Sequence, residues 1–171
     1  MIYTGIGARK TPGDILHAMV QVGEYMAKAG HTLRSGGAQG ADRAFEIGCD
    51  FKGIGYKEIY LPCEGWNGNT SPMYHVSQDA QDVAALFHPA WSSLKPFVRK
   101  LMGRNAYQML GLNLVTRTDF VVCWSPHGDM VGGTGQALRM AAYYEIPVIN
   151  FGNLSLAQVN DRLMDILESK A

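Results

Sequence analysis

The sequence predicts an α/β fold: a doubly wound, mainly parallel sheet of about five strands with helices on both faces. Short apolar runs alternate with runs of helical periodicity along the chain. Glycine-bearing turns join a strand to the next helix at three places. Parallel neighbours need crossover connections, which place helices on both faces of the sheet. A chain of 171 residues, 47% hydrophobic and 18% charged, suits one globular domain over residues 1–171.

The composition narrows the functional classes. Lys plus Arg and Asp plus Glu both number 15, so the chain lacks the basic excess of a general nucleic-acid binder. Its three cysteines, Cys49, Cys63 and Cys123, form no CxxC pair and no ligand spacing for zinc. No apolar run is long enough for a membrane span, and the N-terminus shows no secretory signal. We therefore expect a cytoplasmic protein with no membrane partner, no metal and no resident cofactor.

Each predicted strand is a short apolar run, as expected for strands that are buried on both faces. The fourth strand is nearly all apolar, which predicts a central position in the sheet. Pro62 ends the third strand, because proline cannot donate a hydrogen bond to the ladder. In order, the predicted strands are Met1–Ile6, His31–Arg34, Lys57–Pro62, Asp119–Trp124 and Ile146–Phe151.

Helical periodicity fills the segments between the strands. The first helix is predicted to begin with Thr11 as N-cap and Pro12 in the first helical position, and Gly30 suits its C-terminal end. Pro96 either breaks the fourth helical run or begins its main helix. In order, the predicted helical runs are Pro12–Ala29, Ala41–Cys49, Ser77–Phe87, Trp91–Leu114, Gln136–Tyr144 and Leu154–Ser169.

One connection is unusually long. Residues Cys63–His75 form an irregular stretch rich in Gly, Asn, Ser and Pro. Connections of this length are uncommon in compact domains and are often lids or binding loops. Trp66 and Tyr74 offer rings that either stack on a base or pin the stretch to the core.

Two glycine-rich runs, Ser35–Asp42 and Gly132–Gln136, each lie between a predicted strand and a predicted helix, and Thr4–Arg9 closes the first strand. Glycine lets a ligand approach bare backbone, and a helix N-terminus offers free N–H groups and the positive end of a dipole. Such a run is either an ordinary tight turn or a cradle for an anion, most often phosphate. Because the carboxyl ends of parallel strands meet at one sheet edge, three such turns predict one shared pocket.

The runs Gly5–Arg9, Ser35–Asp42 and Gly132–Gly135 together resemble the SLOG superfamily. Its branches include the Smf/DprA DNA-processing proteins and the LOG nucleotide phosphoribohydrolases. The first two runs are more similar to the DprA branch, with its G-x-R and SGxAxGxD motifs. The resemblance extends from Ile2 to about Asn150. It implies a Rossmann-like fold whose glycine loops hold a nucleotide or a nucleic-acid backbone.

The resemblance also implies a set of ligand-binding residues. Phosphate would rest on the two glycine-rich backbones, with Arg9 and Arg104 as charge partners, and the base would lie under Trp66 or near Pro62. Arg104 lies in a context similar to the Arg-Lys pair of LOG enzymes; the alternative is a solvated helix residue. The expected ligand-binding residues are Gly7, Arg9, Ser35, Gly36, Gly37, Gln39, Gly40, Asp42, Arg104, Gly132, Gly133, Thr134 and Gly135.

The chain departs from the LOG pattern at the position that carries catalysis. The LOG motif PGGxGTxxE aligns with Val131–Arg139, so Arg139 stands where the catalytic Glu belongs. Glycosidic cleavage needs a carboxylate near a developing oxocarbenium ion, and an arginine stays protonated. The remaining candidates for a catalytic role are Asp42, Asp129 and Arg104. Asp42 alternatively caps its helix or contacts a ribose hydroxyl.

Three functions follow as alternatives. The first is binding of a nucleotide or nucleotide-derived phosphate ligand. The second is N-glycosidic hydrolysis of a nucleoside 5′-monophosphate, and the third is DprA-like binding of single-stranded DNA. The apolar side chains along Trp91–Leu114, together with the habit of the SLOG family, predict a homodimer or higher homo-oligomer.

Overall fold

The computed structural model describes residues 1–171 and contains one five-stranded sheet. All strands are parallel, in the order β3-β2-β1-β4-β5. The predicted Rossmann-like α/β fold is confirmed, and β4 is internal to the sheet as predicted. The strands are β1 (Ile2–Gly7), β2 (Thr32–Ser35), β3 (Tyr56–Ile59), β4 (Phe120–Trp124) and β5 (Val148–Asn150).

Six α-helices connect and follow the strands, and they cover both faces of the sheet. One core is shared by α1, α2 and α6, and the other by α3, α4 and α5. Each core is completed by side chains from the sheet, such as Leu33 and Phe120 in the first and Val121 and Cys123 in the second. The helices are α1 (Gly13–Lys28), α2 (Ala41–Cys49), α3 (Gln78–Ala85), α4 (Pro96–Leu110), α5 (Gly132–Tyr143) and α6 (Leu156–Ser169).

The strand order reverses between β1 and β4. From β1 the chain adds β2 and β3 on one side, and it then returns to add β4 and β5 on the other. In open α/β sheets, ligands bind outside the carboxyl ends of the strands at such a switch point. The topology therefore indicates a ligand site beside the segments that follow β1 and β4.

The start of α1 differs from the prediction. Pro12 precedes the first helical residue, Gly13, and no side chain caps the helix. Thr11 instead donates its hydroxyl to the carbonyl of Ala8 at 2.6 Å, which closes the β1–α1 loop on itself. This bond stabilises the β1–α1 loop, which contains Arg9. Thr11 therefore stabilises the loop and does not cap the helix.

The fourth helical run is also shorter than predicted. Trp91–Ser93 is a separate 3-10 turn, and α4 begins with Pro96 in its first turn. It ends at Leu110 because Gly111 adopts a φ of 73°. Phe97 near its start remains exposed, and the homodimer stays a prediction. No helix of the structure combines the length and the apolar character that crossing a bilayer requires.

The start of α5, which lies at the switch point, also differs from the prediction. The sequence pattern predicts a loop at Gly132–Gly135 before a helix that begins at Gln136, but α5 begins at Gly132. The glycines therefore form the first turn of the helix. The N–H groups of Gly132, Gly133 and Thr134 belong to the helix N-terminus itself and have no intrahelical acceptor, whereas the N–H of Gly135 donates to the carbonyl of Val131 at 2.8 Å.

A candidate anion-binding cleft at the switch point

A cleft of about 960 Å³ lies over the carboxyl ends of β1 and β4. Its walls are the β1–α1 loop, the start of α2, the middle of α4, the segment after β4 and the first turn of α5. The volume falls in the range of small-molecule binding sites. The cleft therefore has the position and the size that ligand sites have in open α/β folds.

The first turn of α5 presents bare backbone to this cleft. Gly132, Gly133 and Thr134 all line it, and no side chain caps the helix. A Cβ on Gly132 would have no atom within 4 Å, and one on Gly133 would meet only the mobile end of Met102, at 3.3 Å. Free N–H groups and the positive end of the helix dipole make this turn suitable for an anion.

Three cationic side chains line the same cleft: Arg9, Lys10 and Arg104. Arg9 and Lys10 are exposed, whereas Arg104 is buried, with 7% of its surface accessible. The Arg104 guanidinium lies 5.0 Å from the ring centroid of Trp66, and its Nε has no hydrogen-bond partner. A fixed cation with a free donor adds to the preference for a negatively charged ligand.

Hydrogen bonds fix Arg104 relative to the first turn of α5. Its Nη1 donates to Asn105 Oδ1 at 3.1 Å, and Asn105 Nδ2 donates to the carbonyl of Gly133 at 3.2 Å and to Gln136 Oε1 at 2.8 Å. Gln136 Nε2 then donates to the carbonyl of Ala84 at the end of α3. This chain of amides ties three helices together behind the cleft and links the cation to the helix N-terminus by hydrogen bonds.

Asp42 is the one carboxyl group that lines the cleft. Its Oδ2 accepts hydrogen bonds from the backbone N–H of Gly36 at 3.1 Å and of Ala38 at 3.4 Å. Burial raises the pKa of Asp42 from 3.8 to about 6, although the Arg104 charge and backbone N–H groups oppose the rise. The same burial lowers the pKa of Arg104, but a guanidinium stays protonated at neutral pH. At pH 7 the cleft is therefore lined by two buried groups of opposite charge, the Asp42 carboxylate and the Arg104 guanidinium.

Gln108 is a polar residue of the cleft that was not among the sequence-predicted site residues. It lies on α4 four positions after Arg104 and is only 1% exposed. Neither its Nε2 nor its Oε1 has a hydrogen-bond partner. The spacing of Arg104, Asn105 and Gln108 is the signal in the sequence, because residues at i and i+4 share one face of a helix.

The Ser35–Asp42 loop shapes the cleft mostly by packing. Ala38, Gln39 and Asp42 line the cleft, whereas the other predicted residues of this loop do not. Ser35 is fully buried and donates its hydroxyl to the carbonyl of Gly5 at 2.6 Å. The residues outside the cleft lining are Ser35, Gly36, Gly37 and Gly40.

The predicted site residues thus divide into two groups. The structure brings eight of them together: Gly7, Arg9, Gln39, Asp42, Arg104, Gly132, Gly133 and Thr134. Gly135 instead packs on the preceding segment, since a Cβ there would lie 2.3 Å from the Met130 carbonyl carbon. Asp129 is exposed and outside the cleft. No group of three or more His, Cys, Asp or Glu side chains lies close enough to hold a metal ion.

Arg139 also lies outside the cleft. Its Nε donates to the carbonyl of Phe87 at 2.7 Å and its Nη1 to that of Met130 at 3.3 Å. These bonds join α5 to the segment after α3 and to the segment before α5. Arg139, which aligns with the LOG glutamate, therefore stabilises the packing around α5 and does not line the cleft.

The long stretch after β3 contributes one aromatic ring. Trp66 lies in a short 3-10 turn, Trp66–Gly68, and lines the cleft beside Arg104. Asn67 Nδ2 donates to the carbonyl of Gly37 at 3.1 Å, which anchors this turn to the β2–α2 loop. Tyr74 is exposed, and neither it nor the buried Pro62 lines the cleft.

Two solved structures share the fold. DNA processing protein A (DprA) from Helicobacter pylori, described by its single-stranded DNA binding mode, is 18% identical with a TM-score of 0.54 over 88% of this chain. The match covers 64% of that protein's chain. The Moco carrier protein from Chlamydomonas rheinhardtii is 15% identical with a TM-score of 0.56, covering 98% of this chain and 97% of that one. No protein-family model and no curated protein matches this sequence.

Proposed function

We propose that the protein binds a nucleotide or a nucleotide-derived molecule, with a phosphate group at the first turn of α5. One observation carries the proposal: the uncapped glycine turn and the buried Arg104 line one cleft at the strand switch point. Helix N–H groups and a guanidinium are the donors that phosphate oxygens prefer. Arg9 and Lys10 add positive charge where they are exposed.

Other features support a ligand that is larger than phosphate alone. The cleft volume of about 960 Å³ exceeds what a single anion needs, and Trp66 offers a ring beside the buried cation. The two proteins with this fold are described by single-stranded DNA binding and as a Moco carrier. Together with the SLOG resemblance of the glycine runs, these descriptions favour a ligand-binding role for this chain.

Hydrolysis of the bound nucleotide is a second candidate, and Asp42 is the observation that favours it. Its carboxyl lines the cleft, and its raised pKa of about 6 lies near neutral pH, where acid–base groups work best. Its hydrogen bonds to Gly36 and Ala38, and the charge of Arg104, also suit a purely structural role. Binding without conversion is therefore the primary proposal.

The test is thermal unfolding of the wild-type protein with inorganic phosphate, ribose 5-phosphate, nucleoside mono-, di- and triphosphates, and the molybdenum cofactor. A ligand at a hundred times its dissociation constant stabilises the folded state by about 2.7 kcal/mol, which raises the melting temperature measurably. Mass spectrometry of each mixture then separates a binder, whose ligand stays intact, from a hydrolase, which releases free base. If none of these compounds raises the melting temperature, the proposal is wrong.

Two glycine variants locate the binding site. In Gly133→Leu the new side chain extends past the Met102 methyl group into the cleft, and we expect a folded protein that no longer responds to the ligand. Gly13→Leu is the matched control, because Gly13 begins α1, lies in open space and does not line the cleft. A Gly133→Leu protein with wild-type affinity would exclude the first turn of α5 as the phosphate site.

Single-stranded DNA is the remaining alternative, and salt dependence separates it from a small ligand. A strand bound across Arg9, Lys10 and Arg104 would dissociate steeply with increasing salt, because each neutralised phosphate releases counterions. We expect weak or no retention of an oligonucleotide at low salt, given the zero formal net charge. Tight, salt-sensitive retention without any response to mononucleotides would favour the DprA-like function instead.

A further inference from the structure

We propose that Gln108 recognises the base of the ligand, so that the cleft selects a nucleoside phosphate over a sugar phosphate or free phosphate. This inference rests on the proposed function, because it assumes that the phosphate lies at the first turn of α5. It assigns a specificity-determining role to a residue outside the glycine runs.

The side chain of Gln108 is buried without satisfied hydrogen bonds. Both amide atoms lack a partner although the residue is 1% exposed, and the residue lines the cleft. Leaving a buried polar group unpaired costs about 1–3 kcal/mol, so such groups are rare unless something else pairs with them. An amide that borders a ligand cleft finds that partner in the ligand.

The surroundings hold the amide in place. Gly36 has no side chain, and a Cβ there would lie 2.2 Å from Gln108 Nε2 and 2.9 Å from Arg104 Cζ. The backbone carbonyl of Gln108 accepts a hydrogen bond from Thr4 Oγ1 at 2.7 Å, which fixes this turn of α4 over β1. The absence of a side chain at position 36 thus lets the amide and the guanidinium approach the β2–α2 loop together.

Helix α4 sets the distance between the phosphate site and this amide. Met102 approaches Gly133 in the first turn of α5, and Gln108 approaches Gly36 at the end of β2. Asn105, which also donates to the Gly133 carbonyl, lies three positions before Gln108, and Met102 lies six positions before it. At 1.5 Å per residue these separations correspond to rises of about 4.5 Å and about 9 Å along α4. Both are within the length over which a ribose joins a phosphate to a base, so one nucleotide reaches from the first turn of α5 to the amide.

The chemistry of the amide fits a base edge. Gln108 offers one acceptor and two donors, and either orientation of the amide presents a donor beside an acceptor. Each common base carries an adjacent donor and acceptor on its pairing edge, and glutamine forms two hydrogen bonds with a comparable donor–acceptor pair, N6 and N7, on the major-groove edge of adenine. A sugar phosphate or inorganic phosphate fills the anion site but leaves the amide unpaired.

The test compares ligands with and without a base in the full-length protein. Affinities of AMP, GMP, CMP, UMP, ribose 5-phosphate and inorganic phosphate are measured by calorimetry for wild type, Gln108→Met and Gln21→Met. Gln21 is an exposed residue of α1 and serves as the matched control. We expect wild type and Gln21→Met to bind at least one nucleotide about 10- to 100-fold more tightly than ribose 5-phosphate. In Gln108→Met that preference should disappear while the affinity for ribose 5-phosphate stays within about twofold.

The free protein provides a second measurement that separates recognition from a structural role. Methionine has a similar length, and replacing two unpaired buried atoms with apolar ones should leave the melting temperature unchanged or raise it. A large fall in melting temperature would mean that Gln108 is needed for the fold and would overturn the inference.

The remaining outcomes distinguish the inference from the proposed function. If Gln108→Met retains the preference for nucleotides while Gly133→Leu loses binding, the inference fails and the proposed function stands. If wild type binds ribose 5-phosphate as tightly as every nucleotide, the base is not recognised and the inference again fails alone. If wild type binds none of the six compounds, the inference fails, whereas the proposed function fails only if the nucleoside di- and triphosphates and the molybdenum cofactor also leave the melting temperature unchanged.

Discussion

Gly40 and Gly133 each lie at the start of a helix that follows a strand, yet only one of them has room for a side chain. A Cβ on Gly40 would lie 2.7 Å from the carbonyl oxygen of Arg9, and its φ of 84° disfavours any other residue. A Cβ on Gly133 would meet only the end of Met102. Both belong to glycine-rich runs that the sequence pattern treats alike.

The difference shows that a glycine-rich run between a strand and a helix can have either of two physical roles. In the Ser35–Asp42 run, Gly36, Gly37 and Gly40 allow side chains or backbone to pack closely against the loop. In the Gly132–Gly135 run, the first two glycines leave a helix N-terminus uncovered at the cleft. The first run builds part of the wall of the cleft, and the second presents the backbone donors at which we propose that an anion binds.

Substitution of Gly40 by alanine should have the largest effect on stability. The strained φ and the contact with the Arg9 backbone together should lower the free energy of unfolding by about 4 kcal/mol. Urea denaturation followed by circular dichroism measures the change. Gly133→Ala is the matched comparison and should stay within about 1 kcal/mol of wild type, because alanine favours a helix over glycine. Equal stabilities of the two variants would contradict the division of roles.

The carboxyl group of the first run predicts a pH dependence. Burial raises the pKa of Asp42 to about 6, above its ordinary value of 3.8, so the folded state keeps this proton where the unfolded chain has lost it. The resulting stability is fully present below pH 3.8 and is lost as the pH rises through about 6. The full change amounts to about 3 kcal/mol, at 1.36 kcal/mol per pKa unit.

The measurement is the free energy of unfolding of wild type and Asp42→Asn between pH 4 and pH 7. Subtracting the variant's curve removes the contributions of all other titrating groups. We expect wild type to lose stability relative to Asp42→Asn as the pH rises over this range. A difference that stays constant with pH would show that the pKa of Asp42 is not raised.

Much of the fold could be predicted from the sequence, because it depends on patterns that are local. Alternating apolar and helical runs identify five strands and their crossover helices, and the burial of β4 follows from its apolar composition. The boundaries were less accurate where tertiary contacts decide them. Thr11 bonds within its own loop, and α5 extends through Gly132–Gly135 although the glycine run predicts a loop there.

The site was only partly predictable, since a sequence motif does not reveal which backbone is covered. Gly36 and Gly132 are both part of motifs, but only the structure shows that Gly36 contacts Arg104 and Gln108. The unpaired amide of Gln108 is invisible in sequence, because its meaning depends on burial and on the absence of partners. The i, i+4 spacing from Arg104 is a signal that becomes informative once that face of α4 is known to border a cleft.

The carboxyl group near the second run should have the smallest effect. Asp129 precedes α5 in the chain but is exposed and outside the cleft, whereas Asp42 is buried within it. Asp129→Asn should therefore change the free energy of unfolding by less than about 0.5 kcal/mol, as is usual for exposed positions. It should also leave nucleotide affinity, measured by calorimetry, within about twofold of wild type. A large loss of affinity in Asp129→Asn would mean that the segment before α5 closes over the ligand, so that both glycine runs contribute a carboxyl group to the site.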